Sequence, residues 1–174
     1  MIKLKDILLE SDIFIPRRID DRLERYIKNY IRNGSEGNLS LQNGGLTKLP
    51  DLLKYVKEVG GYFDCRANSL TSLEGSPQSV NGNFYCNNNK LTSLEGAPIS
   101  VGGGFDCRYN KLTSLEGSPT SVVDSFDCKF NKLTSLKGAP QSVGGDFDCR
   151  NNPVKFTEEQ VRAVCNVGGN VYVW

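Results

Sequence analysis

The sequence predicts a repeat solenoid with a parallel β-sheet on its concave face. Short helices are expected at the N-terminus and near the C-terminus, and mostly turns on the convex side. Two observations predict this fold class. The motif Phe-x-Cys recurs five times at intervals of 21 residues, and an asparagine follows each cysteine by three residues. A fixed period of this length is typical of solenoids, in which each repeat covers the open face of the next.

A single 21-residue unit cannot fold alone. Ordering its backbone costs about 1–2 kcal/mol per residue. Its five or six buried side chains return only about 1.5–3 kcal/mol each. The repeats must therefore stack, and each should supply one strand of a parallel sheet.

Seven strand positions follow from the period. At both ends the pattern continues with an offset of 24 residues, and the three extra residues fall in two helix-like segments, 51–59 and 157–165. In the second segment Thr157 and Gln160 have the spacing of a capping box. The seven strands are centred on Ser40, Asp64, Tyr85, Asp106, Asp127, Asp148 and Tyr172.

The chain divides into two regions. Residues 1–36 form an N-terminal helical cap, in which apolar residues between Ile19 and Ile31 have the spacing of an amphipathic helix ending near Gly34. Residues 37–174 form the solenoid, including a C-terminal cap over residues 153–174. Within the first region, residues 1–10 form a short amphipathic segment, interpreted as a docked helix or as a targeting peptide.

The repeat unit V-x-x-x-F-x-C-x-x-N-x-L-T-S-L-x-G-x-P-x-S resembles the leucine-rich repeat, with Phe and Cys in two leucine positions. The sequence of the unit is most similar to the repeats of leucine-rich repeat proteins from large tailed bacteriophages. The valine lies four residues before Phe rather than three, which predicts a bulge at the start of each strand. The segment Leu8-Leu9-Glu10 resembles the cleavage pattern of phage targeting peptides that a prohead protease removes.

Composition narrows the classes of function. The net charge is +1, without the basic excess typical of nucleic-acid binders. The chain contains no histidine, the commonest general base and metal ligand. No apolar run is long enough to span a membrane, and Asp6 interrupts the apolar stretch that a secretory signal needs. We expect no enzymatic activity, no cofactor, no metal, no nucleic acid and no membrane partner; the oligomeric state stays open.

Two columns of side chains are expected to be structural. The five repeated cysteines point inward with Phe, as small reduced core residues of a cytoplasmic protein, and zinc or redox chemistry is the alternative. The asparagines at the bend after each strand are expected to bond backbone groups of adjacent repeats.

The columns that face outward are the candidate site. Aspartates at the strand centres alternate with cations two residues further on, which indicates either a self-neutralising ladder, a polar surface that recognises a partner, or a divalent cation site. Tyr109 and Phe130 follow on the surface of adjacent repeats, where they stack on each other or anchor a partner. The predicted partner-binding residues are Tyr85, Asp106, Arg108, Tyr109, Asp127, Lys129 and Phe130.

These features predict a non-enzymatic protein-interaction module. The resemblance implies a phage protein in the cytoplasm of the host bacterium, binding a host or viral protein through the concave face or its rim. One alternative is a structural or internal protein packaged in the virion, with a cleavable targeting peptide. Another is an inhibitor of a host or defence enzyme, which is a special case of binding.

Overall fold

A computed structural model describes residues 21–174, and in it the repeats wind into a parallel β-solenoid of about six turns. Its helices are an N-terminal helix, Asp21–Arg32, a 3-10 helix, Asp51–Tyr55, and a C-terminal helix, Glu158–Val164. The strands are β1 (Leu39–Ser40), β2 (Glu58–Val59), β3 (Phe63–Asp64), β4 (Ser79–Val80), β5 (Phe84–Tyr85), β6 (Ser100–Val101), β7 (Phe105–Asp106), β8 (Ser121–Val122), β9 (Phe126–Asp127), β10 (Ser142–Val143), β11 (Phe147–Asp148), β12 (Asn166–Val167) and β13 (Val171–Tyr172).

Seven strands form the predicted sheet, in the order β1-β3-β5-β7-β9-β11-β13, and all neighbours are parallel. Phe pairs with Phe along the repeats. At the ends, Leu39 pairs with Phe63 and Phe147 pairs with Val171. The predicted offset of 24 residues at both ends is therefore confirmed.

A second parallel sheet of six strands, β2-β4-β6-β8-β10-β12, contains the repeated Ser-Val pairs. The sequence indicated only a bulge at the valine, but the chain turns a tight corner there and forms a separate strand. Gly102 and Gly103 form this corner between β6 and β7, whereas Val123 and Asp124 form it between β8 and β9. A Cβ at Gly102 would collide with the carbonyl oxygen of Asn81 in the preceding turn, and one at Gly103 with the side chain of Asn83.

The core lies between the two sheets. The five repeated phenylalanines stack with ring centroids 5.1–5.4 Å apart. The repeated cysteines, valines and leucines are buried beside them. All six cysteines are free and buried, and burial raises the pKa of each thiol, that of Cys165 to about 11. The interpretation of the cysteines as core residues is confirmed.

The solenoid ends follow the sequence prediction in most respects. The N-terminal helix buries Ile27, Tyr30 and Ile31 against the first turn. The helix-like segment 51–59 is a 3-10 helix followed by β2. The capping box is present, since Thr157 Oγ1 accepts from the Gln160 N–H at 3.2 Å and Gln160 Oε1 from the Thr157 N–H at 2.9 Å. The segment 1–10, with Leu8-Leu9-Glu10, lies outside the described residues. No helix within residues 21–174 has the length and apolar character to cross a bilayer.

Candidate interaction surface

The outer face of the seven-stranded sheet carries two columns of side chains. We call the residues at the strand centres the carboxylate column and those two positions later the basic column. Strand pairing and register are unbroken from β3 to β11. Side chains at the same position of neighbouring repeats therefore lie one strand spacing apart, about 4.8 Å. The carboxylate column is Asp64, Tyr85, Asp106, Asp127 and Asp148, and the basic column is Arg66, Asn87, Arg108, Lys129 and Arg150.

Each aspartate is held by the residue two positions later. One carboxylate oxygen of Asp106 accepts from the Arg108 backbone N–H at 3.2 Å, and the other lies 3.1 Å from Arg108 Nε. Arg150 contacts both oxygens of Asp148, at 2.9 and 2.7 Å. The aspartates therefore each have a cation from their own turn, without a contribution from another repeat.

Neighbouring turns are also joined. Lys129 Nζ lies 2.9 Å from Asp127 Oδ2 and 3.2 Å from Asp148 Oδ2, and Arg108 Nη1 lies 3.7 Å from Asp127 Oδ2. The network is continuous from Asp106 to Arg150 and its formal charge is zero. The structure thus shows the self-neutralising ladder, in which each of the four aspartates of the carboxylate column is paired with a cation. Within residues 21–174, no three acidic or cysteine side chains converge as metal ligands would.

The pKa values of Asp106 and Asp148 are shifted in opposite directions. Burial raises the pKa of Asp106 to about 6, although the charge of Arg108 opposes this shift. Burial also opposes the ionisation of Asp148, but the hydrogen bonds from Arg150 outweigh it and the pKa of Asp148 is lowered. Asp148 accepts side-chain hydrogen bonds from both Arg150 and Lys129, whereas burial and then the charge of Asp127 raise the pKa of Asp106.

The ladder is interrupted at Tyr85 and Asn87. The Tyr85 hydroxyl accepts a hydrogen bond from Asn83 Nδ2 at 2.6 Å, its ring meets Tyr62 edge-on, and the Arg66 guanidinium lies 5.2 Å from its centroid. Asn87 is 4% exposed, and its Oδ1 has no hydrogen-bond partner among the described residues. Tyr85 therefore belongs to a separate cluster, apart from the ion-pair network with which it was predicted to act.

Tyr109 and Phe130 occupy the rim of the sheet face, directly after the basic column. Their rings stack with centroids 4.5 Å apart and planes 5° from parallel. They remain 46% and 38% exposed. Both have φ of +53°, in the left-handed region that bulky residues disfavour. Asn88 and Asn151 occupy the same position in flanking turns with φ of +56°, and asparagine adopts this conformation more readily.

Buried asparagines hold this bend in place. Asn110 Nδ2 donates to the carbonyl oxygens of Cys86 and Cys107, each at 3.0 Å, and its Oδ1 accepts from the Leu91 N–H at 3.0 Å. The same pattern recurs at Asn68, Asn89, Asn131 and Asn152. The prediction that these amides bond the backbone of adjacent repeats is confirmed.

The structure brings most of the predicted binding residues together. Asp106, Arg108, Asp127 and Lys129 share the ion-pair network, and Tyr109 and Phe130 stack beside it. The sequence reasoning missed the cation–π contact of Arg150 with Tyr172, whose ring centroid lies 5.0 Å from the guanidinium carbon. The offset of 24 residues carried that signal, because it aligns Tyr172 with Asp148, two residues before Arg150.

A comparison with protein-family profiles finds none that matches this chain, and a search of curated proteins finds no match. The solenoid fold therefore stands on the repeat and the strand pairing alone.

Proposed function

We propose that this protein is a non-enzymatic interaction module that binds a protein partner through the outer face of the seven-stranded sheet and its aromatic rim. The observation that carries the proposal is the stacked, exposed pair of Tyr109 and Phe130, both in the left-handed backbone region. Strained residues of this kind cluster at functional sites. Asparagine stands at the same position in the neighbouring turns, so a less strained residue is compatible with the fold.

The ion-pair ladder supports the proposal in a different way. Its carboxylates and cations are paired with each other, so the face has a fixed polar pattern before any partner arrives. A rigid surface loses little conformational entropy on binding. The exposed rings supply the apolar contact, as aromatic anchors do at the centres of protein interfaces.

The resemblance of the repeat to leucine-rich repeat proteins of tailed phages extends the proposal. On that basis the protein is a phage product that acts in the cytoplasm of the host bacterium and binds a host or viral protein. A virion-packaged protein with a cleavable targeting peptide is the second candidate. Mass spectrometry of purified virions decides it: a mature chain beginning at Ser11 supports packaging with cleavage.

The test removes the rings without disturbing the backbone. Tyr109→Asn with Phe130→Asn inserts the residue that flanking turns carry at this position. The matched control, Ile99→Gln with Val123→Asn, removes two exposed apolar side chains (68% and 65% exposed) in favour of residues that other turns carry. Partners are captured from host lysate with the full chain, and the purified partner is titrated against all three proteins by calorimetry.

We expect the ring variant to bind at least about tenfold more weakly than the wild type, which corresponds to about 1.4 kcal/mol. The control variant should bind as the wild type does. Equal affinity of the partner for wild type and ring variant would contradict the proposal.

A further inference from the structure

Three lysines lie beside the aromatic pair and take no part in the ladder. Lys90, Lys111 and Lys132 follow the rim position by two residues in three successive turns, and each is exposed. None of them forms an ion pair with any residue of the described chain, 21–174. Because they take equivalent positions in adjacent turns, they form a row of positive charges about 10 Å long, since neighbouring turns repeat at about 4.8 Å. We call this row the lysine rim.

No acidic side chain lies within these rim segments to neutralise them. The three turns read NNKLTS (88–93), YNKLTS (109–114) and FNKLTS (130–135). The aspartates of the face are occupied by the basic column, and the glutamates Glu95 and Glu116 come five residues later, after a buried leucine. The local charge is therefore +3 in a chain whose net charge is only +1.

We infer that the lysine rim binds an acidic segment of the protein partner. This inference rests on the proposed function. The carboxylates of that segment would lie on the lysine rim, and a planar side chain, aromatic or Arg, would lie against Tyr109 and Phe130. Two acidic residues at positions i and i+2 of an extended peptide are about 7 Å apart, so both can lie within the row of about 10 Å. Opposite charges across an interface also favour encounter and register.

A single-stranded nucleic acid fits these observations less well. Lysines and stacked rings are the elements of such sites. However, a nucleic acid carries a phosphate at every nucleotide, and three lysines neutralise few of them. A peptide can place its acidic residues on the three lysines and neutral residues over the charge-neutral ladder, whereas a phosphate chain cannot vary its charge along its length.

The experiment selects peptides without assuming their sequence. Random 12-residue peptides on a display library are selected on the full chain, and the enriched peptides are synthesised and titrated by fluorescence anisotropy. Four further proteins are titrated: Lys90→Gln/Lys111→Gln/Lys132→Gln, the ring variant Tyr109→Asn/Phe130→Asn, and two controls. The controls are Lys48→Gln/Lys54→Gln/Lys57→Gln, which changes the charge equally elsewhere, and Ile99→Gln/Val123→Asn. A single-stranded oligo-dT of 12 nucleotides is the competing probe.

We expect enriched peptides with a net negative charge and an aromatic or Arg residue. Their affinity should fall at least about fivefold in the rim-lysine variant, fall in the ring variant, fall with added salt, and stay unchanged in both controls. Two outcomes would overturn the inference of an acidic partner but not the proposed function. In one, the peptides require the rings but are neutral; in the other, they require the rings but bind the rim-lysine variant as tightly as the wild type. Enrichment of no peptide that depends on the rings would overturn both. Tighter binding of oligo-dT than of the peptides, lost in the rim-lysine variant, would overturn the assignment to a protein.

Discussion

Replacement of Asn89 by alanine tests how the solenoid holds its bends. Asn89 Nδ2 donates to the carbonyl oxygens of Cys65 at 3.0 Å and Cys86 at 3.1 Å, and its Oδ1 accepts from the Leu70 N–H at 2.9 Å. The side chain thus joins two turns. In Asn89→Ala, the buried Leu70 N–H loses its partner, which costs about 1–3 kcal/mol, and two further bonds at about 0.5–1.5 kcal/mol each are lost. We expect the free energy of unfolding to fall by about 3 kcal/mol.

The neighbouring residue offers a matched control. Asn88 is exposed, and its backbone has φ of +56°. Ala67 takes the same position in the preceding turn with φ of +53°, so alanine is compatible with this conformation. Asn88→Ala deletes the same amide one residue away and should cost about 1 kcal/mol or less.

The assay is equilibrium urea unfolding of both variants, followed by circular dichroism. A difference of about 2 kcal/mol between Asn89→Ala and Asn88→Ala is expected, against a typical total stability of about 5–15 kcal/mol. If the two variants unfold within about 0.5 kcal/mol of each other, the amide column does not stabilise the stacking of turns and the reasoning is wrong.

Four further predictions concern the two titrating aspartates, the buried thiols and the capping box. The pKa of Asp106 rises on folding from 3.8 to about 6, so the folded state binds more protons and its free energy of unfolding falls as pH rises through that window. Urea titrations between about pH 4 and 8 should show that Asp106→Asn removes this fall; an unchanged slope would contradict it. Asp148 has a lowered pKa, so Asp148→Asn should lower the free energy of unfolding near pH 7, and lower it less as pH falls below about 4. All six buried thiols should react with a disulfide reagent only on unfolding in urea, and rapid labelling of the native protein, read by mass spectrometry, would refute their burial. Thr157→Ala removes the capping box and should cost about 0.5–2 kcal/mol in the same urea assay; no change would show that the cap is dispensable.

The interaction surface was only partly accessible to sequence reasoning. The alternation of side chains along a strand was enough to place Asp106, Arg108, Asp127 and Lys129 on one face, because a parallel register repeats every column. The ion pairs between turns were not accessible, since they depend on how long side chains cross from one strand to the next. Arg108 reaches Asp127, for example, while Arg66 turns instead towards Gln42 and the ring of Tyr85.

The left-handed backbone conformation of Tyr109 and Phe130 could not be predicted from the sequence either. The position is shared with Ala67, Asn88 and Asn151, a mixture of residues with no common side-chain property. Only the geometry of the bend shows that two aromatic residues take a conformation that asparagine adopts more readily. That finding changes an exposed pair of rings from an incidental contact into the strongest candidate for a binding anchor.

The sequence alone contained the period, the seven strand positions, the inward columns of Phe, Cys and Leu, and the two offsets of 24 residues. All of these are set by near neighbours, because each turn packs only on the turn before and after it, and the same residue types recur at each contact. The second sheet, the pairing of each charge, the burial of Asp64 at 1% exposure and the unpaired lysine rim appear only in three dimensions. They depend on how closely adjacent corners approach and on which cation lies within reach of which carboxylate, and these are distances that a repeat pattern does not encode.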